Sequence, residues 1–304
     1  MILMFIMVEY VRKIQRVGNR SYAVSLPKKW VLENELDKIK NVNIVENDNN
    51  LILSSNNIKK NNDFVEININ KPELIPSIIL LCYVKGVCEL ILKFDNNLIY
   101  LKSKSEITKI LSYLEGFKII DEEENKITLN LIYNKSDLKI SKLSKRMISI
   151  IHQMVDCIVT RQFETKLILE KELDSLYHLS KRILFICSKD NTARFENNIF
   201  DLEEIFLWRL IFKRIENIGD VIEKNVDDND VQIDELKYIL KYLENLFIFN
   251  KTLSFDNIEK LKNKKYDFLE SEKIANLTVD IMNNYLLIIL NKKIFAESSF
   301  NHSL

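Results

Sequence analysis

The second half of the chain has one periodic pattern almost throughout, and this pattern limits the possible fold more than any other feature. From about residue 140, apolar residues recur at i, i+3, i+4 and i+7 spacing, which places them on one face of a helix. The pattern occupies five segments: LSKRMISIIHQMVDCIV, TKLILEKELDSLYHLSKRILFIC, LEEIFLWRLIFKRIENIGDVIEK, IDELKYILKYLENLFIF and SEKIANLTVDIMNNYLLIILNKK. Polar stretches separate them. We therefore predict an antiparallel all-α bundle of five or six helices over residues 140–296.

One of the chain's 4 glycines interrupts a helical segment. Gly219, in KRIENIGDVIEK, costs about 1 kcal/mol relative to alanine within a helix, so its presence indicates close packing or access to the backbone. Glu216 and Asp220 flank it four residues apart, and therefore lie on one helix face. Glu170 and Asp174 repeat this spacing in EKELD.

The sequence leaves two interpretations of these acidic pairs, a metal site and a pair of solvated helix faces. If two helices apposed the four carboxylates, the oxygens would suit Mg²⁺, Mn²⁺ or iron rather than zinc. Without an ion the carboxylates would repel one another, and at least one pKa would rise. The alternative is two solvated acidic faces that pair with nearby lysines such as Lys171 and Lys224.

The phrase around Gly219 and the helical pattern over about residues 140–295 resemble the PhoU family of phosphate-uptake regulators. In that family two three-helix repeats have such acidic motifs, which bind clusters of divalent or ferric metal. The resemblance implies metal ligands at Glu170, Asp174, Glu216 and Asp220. The second repeat departs from the pattern, because NKKYD and NLTVD have Asn263 and Asn276 in place of glutamate and lie close together. We expect this repeat to be shortened or degenerate.

The N-terminal region concentrates positive charge in a chain whose net charge is zero, with Lys+Arg 44 and Asp+Glu 44. Residues 11–30, VRKIQRVGNRSYAVSLPKKW, have no acid. Their alternation predicts two strands around the turn GNR, followed by a helix with Pro27 in its first turn. VNIVE and LILSS predict another strand pair. Residues 8–55 therefore predict a β-β-α-β-β unit, which is too small to bury much apolar surface alone.

This element order, with RKIQRVGNRSYAVSLPKKW, resembles the AbrB/SpoVT/MazE-type swapped-hairpin DNA-binding domain. In that family two chains interleave their hairpins into one barrel, so the resemblance implies a homodimer that binds double-stranded DNA. It implies DNA contacts at Arg12, Lys13, Arg16, Arg20, Lys28 and Lys29. The turn GNRSYAV departs from the G-R-I/V turn of bacterial members, so no base preference follows. Clustered Lys and Arg residues also favour phosphate-backbone binding on physical grounds, and the alternative is a solvated basic hairpin without a ligand.

Between these regions, residues 63–135 alternate strand and helix patterns. We predict strands at DFVEININ, VCELILKF, LIYLKS, FKIID and KITLNLIY, and helices at PELIPSIILLCYVKG and SEITKILSYLEG. Gly86 and Gly116, each three residues after a tyrosine, are expected to end these helices in the left-handed conformation. The pattern favours a ferredoxin-like α/β domain, either a spacer and dimerisation module or a ligand sensor.

Other features exclude several functional classes. Four cysteines form no C-x-x-C pair, so we expect buried thiols of a reducing compartment: Cys82, Cys88, Cys157 and Cys187. His152 and His178 lack ligand partners at metal spacing and are expected in the core or at its boundary. The leader MILMFIM is too short for a membrane span or signal peptide, and Met7 is an alternative start. No run approaches membrane length. We therefore expect a cytoplasmic protein without membrane insertion.

The sequence thus predicts an α+β multidomain chain: a dimeric swapped-hairpin β-barrel, a ferredoxin-like segment and a PhoU-like helical bundle. This order resembles archaeal AbrB–PhoU fusion proteins, which implies a transcriptional regulator of phosphate uptake whose bundle senses metal or phosphate status or a transporter component. The alternative is a signalling adaptor that binds a phosphate transporter or sensor kinase through the bundle and uses the barrel only to dimerise. No nucleophile–base pair or phosphate-binding loop is visible, so we do not expect an enzyme.

Overall fold

The chain is an α+β fold with small sheets and a helical C-terminal part. The computed structural model describes residues 11–18, 21–47, 50–55, 64–132, 139–225, 229–249 and 253–300. Two compact units divide the chain, and we call residues 1–61 the N-terminal unit and residues 62–304 the C-terminal unit.

The N-terminal unit follows the predicted order of two strands, a helical segment and two strands. Its elements are β1 (Gln15–Val17), β2 (Ser21–Ala23), α1 (Lys28–Glu33), α2 (Leu36–Ile39), β3 (Val42–Asn47) and β4 (Asn50–Ser55). Glu35, at φ 55, interrupts the helical segment in a left-handed conformation. The pairs β1–β2 and β3–β4 are antiparallel and form two separate two-stranded sheets. The single chain therefore does not itself close the predicted barrel.

A four-stranded sheet begins the C-terminal unit. Its elements are β5 (Phe64–Ile69), α3 (Ile75–Val84), β6 (Glu89–Phe94), α4 (Asn97–Leu111), β7 (Phe117–Glu123) and β8 (Lys126–Leu131). The strand order is β5-β6-β8-β7, with β5 parallel to β6 and the other two pairs antiparallel. The predicted split βαβ unit is present once, as β6-α4-β7, because β8 lies between β6 and β7. The order departs from the ferredoxin-like pattern at β5-α3-β6, where the helix connects two adjacent parallel strands.

The strand predicted at LIYLKS is wrong, because this segment forms the first turns of α4. The Asn96 side chain accepts a hydrogen bond from the Ile99 backbone N–H at 3.0 Å and so caps the helix. Gly86 ends α3 at φ 86, as expected, whereas Gly116, at φ 71, lies in the turn before β7.

The rest of the C-terminal unit is helical, as predicted. The helices are α5 (Ile140–Val159), α6 (Phe163–Lys189), α7 (Asn191–Glu196), α8 (Leu202–Asn225), α9 (Asp230–Leu243), α10 (Phe255–Asn263) and α11 (Leu269–Phe300), with a π-helical turn at Glu244–Ile248. Helices α5, α6 and α8 pack against one another, and α11 packs against α8, α9 and α10. One apolar core continues from Ile69 in β5 to Ile288 in α11.

A buried arginine joins the sheet region to the helices. Arg182 of α6 is 1% exposed, and its guanidinium donates hydrogen bonds to the carbonyl oxygens of Tyr83, Gly86 and Val87. These carbonyls lie at and just beyond the C-terminal end of α3, where helical carbonyls lack intrahelical partners. The positive charge also complements the negative end of the α3 dipole.

Helix α11 reaches the length of a membrane span, contrary to our expectation. Within the described residues it is the one helix long and apolar enough, over Leu269–Lys292 at mean hydropathy 1.2. A single such helix is weak evidence, because the core helix of a soluble protein has the same properties. Its packing against α8, α9 and α10 is compatible with a soluble protein.

Candidate functional site

The predicted DNA-contacting residues of the hairpin are exposed to solvent. Arg12 and Lys13 precede β1, and Arg16 lies within β1 opposite Tyr22 of β2. The Arg12 guanidinium lies 3.5 Å from its neighbour's backbone carbonyl. Arg20 lies outside the described residues. The described cations of the hairpin therefore face water, where a polyanion can reach them.

Two further cations open helix α1. Lys28 and Lys29 follow Pro27 and are both exposed. The Lys29 ammonium lies 3.9 Å from the Glu33 carboxylate, and both side chains are more than half exposed, so this pair contributes little to stability. The first turn of α1 contains no acid, and its backbone N–H groups add positive potential to the two lysines.

Apolar side chains of the N-terminal unit are also exposed. Val11 is 87% exposed and Tyr22 is 73% exposed. Among the residues of this unit whose burial the structure describes, Leu36 alone is buried. Further apolar residues with at least half of their surface in water are Ile14, Val17, Val24, Leu32, Ile44 and Leu51. Exposed apolar surface of this kind is typical of interaction sites.

The acidic residues lie where α6 and α8 pack closely. A Cβ atom added to Gly219 would lie 2.2 Å from Cδ2 of Leu173, so the missing side chain lets Leu173 of α6 pack directly against the backbone of α8. Lys166 donates a hydrogen bond to the Glu223 carbonyl at 2.8 Å, and the Lys213 ammonium lies 5.3 Å from the Tyr177 ring centroid. Residues that follow one another along α6 therefore contact residues in the reverse order along α8, which means that the two helices are antiparallel. The predicted role of Gly219 in close packing is confirmed.

This packing places the two acidic pairs within electrostatic reach of each other. Burial, followed by the nearby acids Asp174, Glu223 and Asp220, raises the pKa of Glu170 to about 7. Burial likewise raises the pKa of Asp174, with contributions from Glu216 and Asp220 on the facing helix. We call these residues the acidic seam: Glu170, Asp174, Glu216 and Asp220. The seam concentrates negative charge at a half-buried surface. The spacing predicted a shared helix face for each pair but not the approach of the two pairs.

Lysines supply part of the counter-charge. The Lys213 ammonium lies 2.5 Å from Glu216, and the Lys224 ammonium lies 3.5 Å from Asp220. Lys224 was a predicted partner, whereas Lys213 was not. The i, i+3 spacing of Lys213 and Glu216 in the sequence could have predicted this ion pair. Within the described residues, no three His, Cys, Asp or Glu side chains are grouped closely enough to hold a metal ion. The structure therefore does not bring three of the four predicted ligands to one ion position.

The histidines and cysteines lie in or near the core. His152 and His178 are half-buried, and burial lowers the pKa of both, that of His178 to about 4. All four cysteines are free thiols; Cys88 is half-buried and the other three are buried. The histidines therefore occupy the expected core boundary.

Comparisons of the chain with protein-family models, with curated proteins and with solved structures find no match.

Proposed function

We propose that this protein is a cytoplasmic, dimeric, DNA-binding transcriptional regulator. The observation that supports this most is the exposure of clustered cations on a small unit of an otherwise neutral chain. The described cations Arg16, Lys28 and Lys29 are exposed at a hairpin and at a helix N-terminus, two elements that can approach a phosphate backbone. Local charge of this kind attracts duplex DNA even though the net charge of the chain is zero.

Dimerisation belongs to the same proposal. The uncovered apolar side chains of the N-terminal unit would be buried if the hairpins of a second chain completed a swapped barrel with them. Two copies of the basic hairpin would then lie on one particle and double the number of phosphates that the protein neutralises. The proposal thus explains the cations and the exposed apolar residues of this unit together.

The DNA-binding role is tested by salt dependence. Replacing Arg16, Lys28 and Lys29 with alanine should weaken binding to any duplex, because a phosphate without a cationic partner keeps its counterions. The slope of log affinity against log salt should become shallower by about 0.9 for each phosphate that the variant no longer neutralises. The measurement is fluorescence anisotropy of a labelled duplex over a series of salt concentrations.

A matched control removes three exposed lysines from the C-terminal unit, by the substitutions Lys71→Ala, Lys109→Ala and Lys118→Ala. This variant has the same charge change and should bind DNA like the wild type. If the triple variant of the N-terminal unit also binds with the wild-type affinity and slope, the assignment of DNA contacts to these cations is wrong. If the wild type itself binds no duplex, the DNA-binding role is wrong. The chain is then better explained as an adaptor that binds a transporter component or a sensor kinase.

We further propose that the acidic seam binds a divalent or ferric ion, Mg²⁺, Mn²⁺ or iron, and so couples the regulator to metal or phosphate status. The support is the raised pKa of Glu170 and of Asp174, since like charges that lack sufficient counter-charge favour a cation. Phosphate uptake as the regulated process follows from the family resemblance of the sequence.

Metal binding is tested by thermal unfolding. Mn²⁺ at about 100 times its Kd should stabilise the wild type by about 2.7 kcal/mol. A Glu216→Gln, Asp220→Asn double variant should lose this stabilisation, while a matched Asp256→Asn, Glu259→Gln variant on the exposed surface of α10 should keep it. An equal response of all three proteins to Mn²⁺ would contradict a site at the seam.

A further inference from the structure

A groove of about 330 Å³ opens between α3, α6 and α8. Its size is near the lower end of the range for small-molecule sites. Six apolar side chains from the three helices line it: Val84, Leu184, Phe185, Leu202, Ile205 and Phe206. Leu184 and Ile205 belong to the buried core, whereas Phe206 is 66% exposed and stands at the rim.

The two ends of this groove differ in polarity. Because α6 and α8 are antiparallel, Lys181 and Arg209 lie together at one end, and Ser188 and Leu202 lie together at the other. Seven residues of α6 separate Lys181 from Ser188, which corresponds to about 10 Å along the helix. The groove is therefore an apolar channel with two cations at one end.

Neither cation has a matching acid. In the part of the chain that the structure describes, no carboxylate lies within ion-pair distance of Lys181 or Arg209. The Lys181 ammonium instead lies 4.3 Å from the centroid of the Tyr177 ring. Burial lowers the pKa of Lys181, and the charges of Lys213 and Arg209 also lower it, whereas Glu216 and Asp174 oppose this shift. An anion at this end would relieve the repulsion between the cations.

We propose that this groove binds a small amphipathic anion. Its carboxylate or phosphate headgroup lies between Lys181 and Arg209, and its apolar tail of about eight carbons follows α6 and α8 towards Ser188. Charge complementarity selects the headgroup, and burial of the tail against Leu184 and Ile205 supplies affinity. The volume favours a small molecule over a partner helix, which is about 10–12 Å across with its side chains. This inference is independent of DNA binding by the N-terminal unit.

The test is isothermal titration calorimetry of the full chain with octanoate and, in a separate arm, octyl phosphate. One molecule should bind per chain, and the tighter of the two probes identifies the headgroup class. Octanol lacks the charge and acetate lacks the tail, so each should bind at least about tenfold more weakly. Lys181→Met should weaken binding of the charged probes about tenfold, because it removes a charged hydrogen-bond donor but keeps an apolar stem.

Two further variants separate the groove from general effects. Lys181→Arg keeps the positive charge and should retain most of the affinity. Lys171→Met removes a lysine charge at an exposed position of α6 outside the groove, and this control should bind like the wild type. The proposal is overturned if octanol binds as tightly as both anions, if Lys181→Met has no effect, or if neither anion binds. Phe206→Glu tests whether a second copy of the chain occupies the groove instead. If this variant dissociates the protein in sedimentation and neither anion binds the wild type, the proposal is also overturned.

Discussion

The two units of this chain use apolar residues in opposite ways. In the C-terminal unit, one core includes side chains from the sheet and from nearly all of the helices. In the N-terminal unit, Leu36 is the one buried residue among those whose burial is described, and Tyr22 and Ile44 are mostly exposed. The comparison shows that a regular pattern of strands and helices can define local structure without providing a core. The stability of such a unit has to come from a further surface.

The two units also differ in how they use arginine. Arg16 of β1 is exposed, and its charge is available to a ligand. Arg182 of α6 is buried, and all of its described hydrogen bonds are to the protein's own carbonyl and thiol groups. The same residue type is therefore solvated in one unit and packed internally in the other, and burial distinguishes the two environments.

The largest expected effect is that the fold of the N-terminal unit depends on protein concentration. If a second chain covers its apolar residues, dilution over about a hundredfold should expose the amides of β1 to β4, because dissociation removes the burial. Hydrogen exchange of the full chain, followed by mass spectrometry, measures this. Peptides from α5 and α8 provide the internal control and should exchange equally at all concentrations. Equal protection of the N-terminal strands at every concentration would show that the unit is stable without a partner chain.

A smaller effect is expected at Arg182 and is confined to the C-terminal unit. Arg182→Met should lower the free energy of unfolding of that unit by about 3 kcal/mol, because buried carbonyl groups of Tyr83, Gly86 and Val87 lose their donor. Urea unfolding monitored by circular dichroism measures this change. The control is Arg146→Met, which removes a half-exposed arginine paired with Glu172 at 2.6 Å and should cost less than about 1 kcal/mol. Similar destabilisation by the two variants would contradict the role assigned to Arg182.

The helical half of the fold was predictable, since each long helix repeats apolar residues over several turns. The four-stranded sheet was less predictable from the sequence. LIYLKS alternates too briefly to distinguish strand from helix, and the Asn96 cap, which determines the outcome, lies outside that segment. Strand order was not accessible, because it depends on contacts between residues far apart in sequence, such as Leu90 with Leu129.

The candidate site was predictable only where its geometry is local. Glu216 and Asp220 share a helix face at fixed spacing, so their proximity followed from the sequence. Lys181 and Arg209 belong to different helices, and only the antiparallel packing of α6 on α8 brings them to one groove. Arg182, in the polar pair KR, resembles a solvated residue in the sequence, and its burial depends on the position of α3.

The smallest expected effect concerns the acidic seam, which is an exception to the apolar packing of the C-terminal unit because its carboxylates occupy a half-buried surface between α6 and α8. The pKa of Glu170 is raised to about 7, above its ordinary value of 4.5. The native state therefore retains a proton that the unfolded state releases between these values, so this group favours folding below about pH 4.5 and loses that contribution as the pH rises through 7. Glu170→Gln imitates the protonated form. It should stabilise the protein at pH 8 by about 1 kcal/mol, after allowance for solvent screening of a partly exposed group, and the difference should vanish below about pH 4.5. Urea unfolding of both proteins in metal-free buffer across this pH range measures the difference. A difference that does not change with pH would mean that Glu170 is solvated like an ordinary surface carboxylate. The acidic seam would then be no exception to the contrast between the two units.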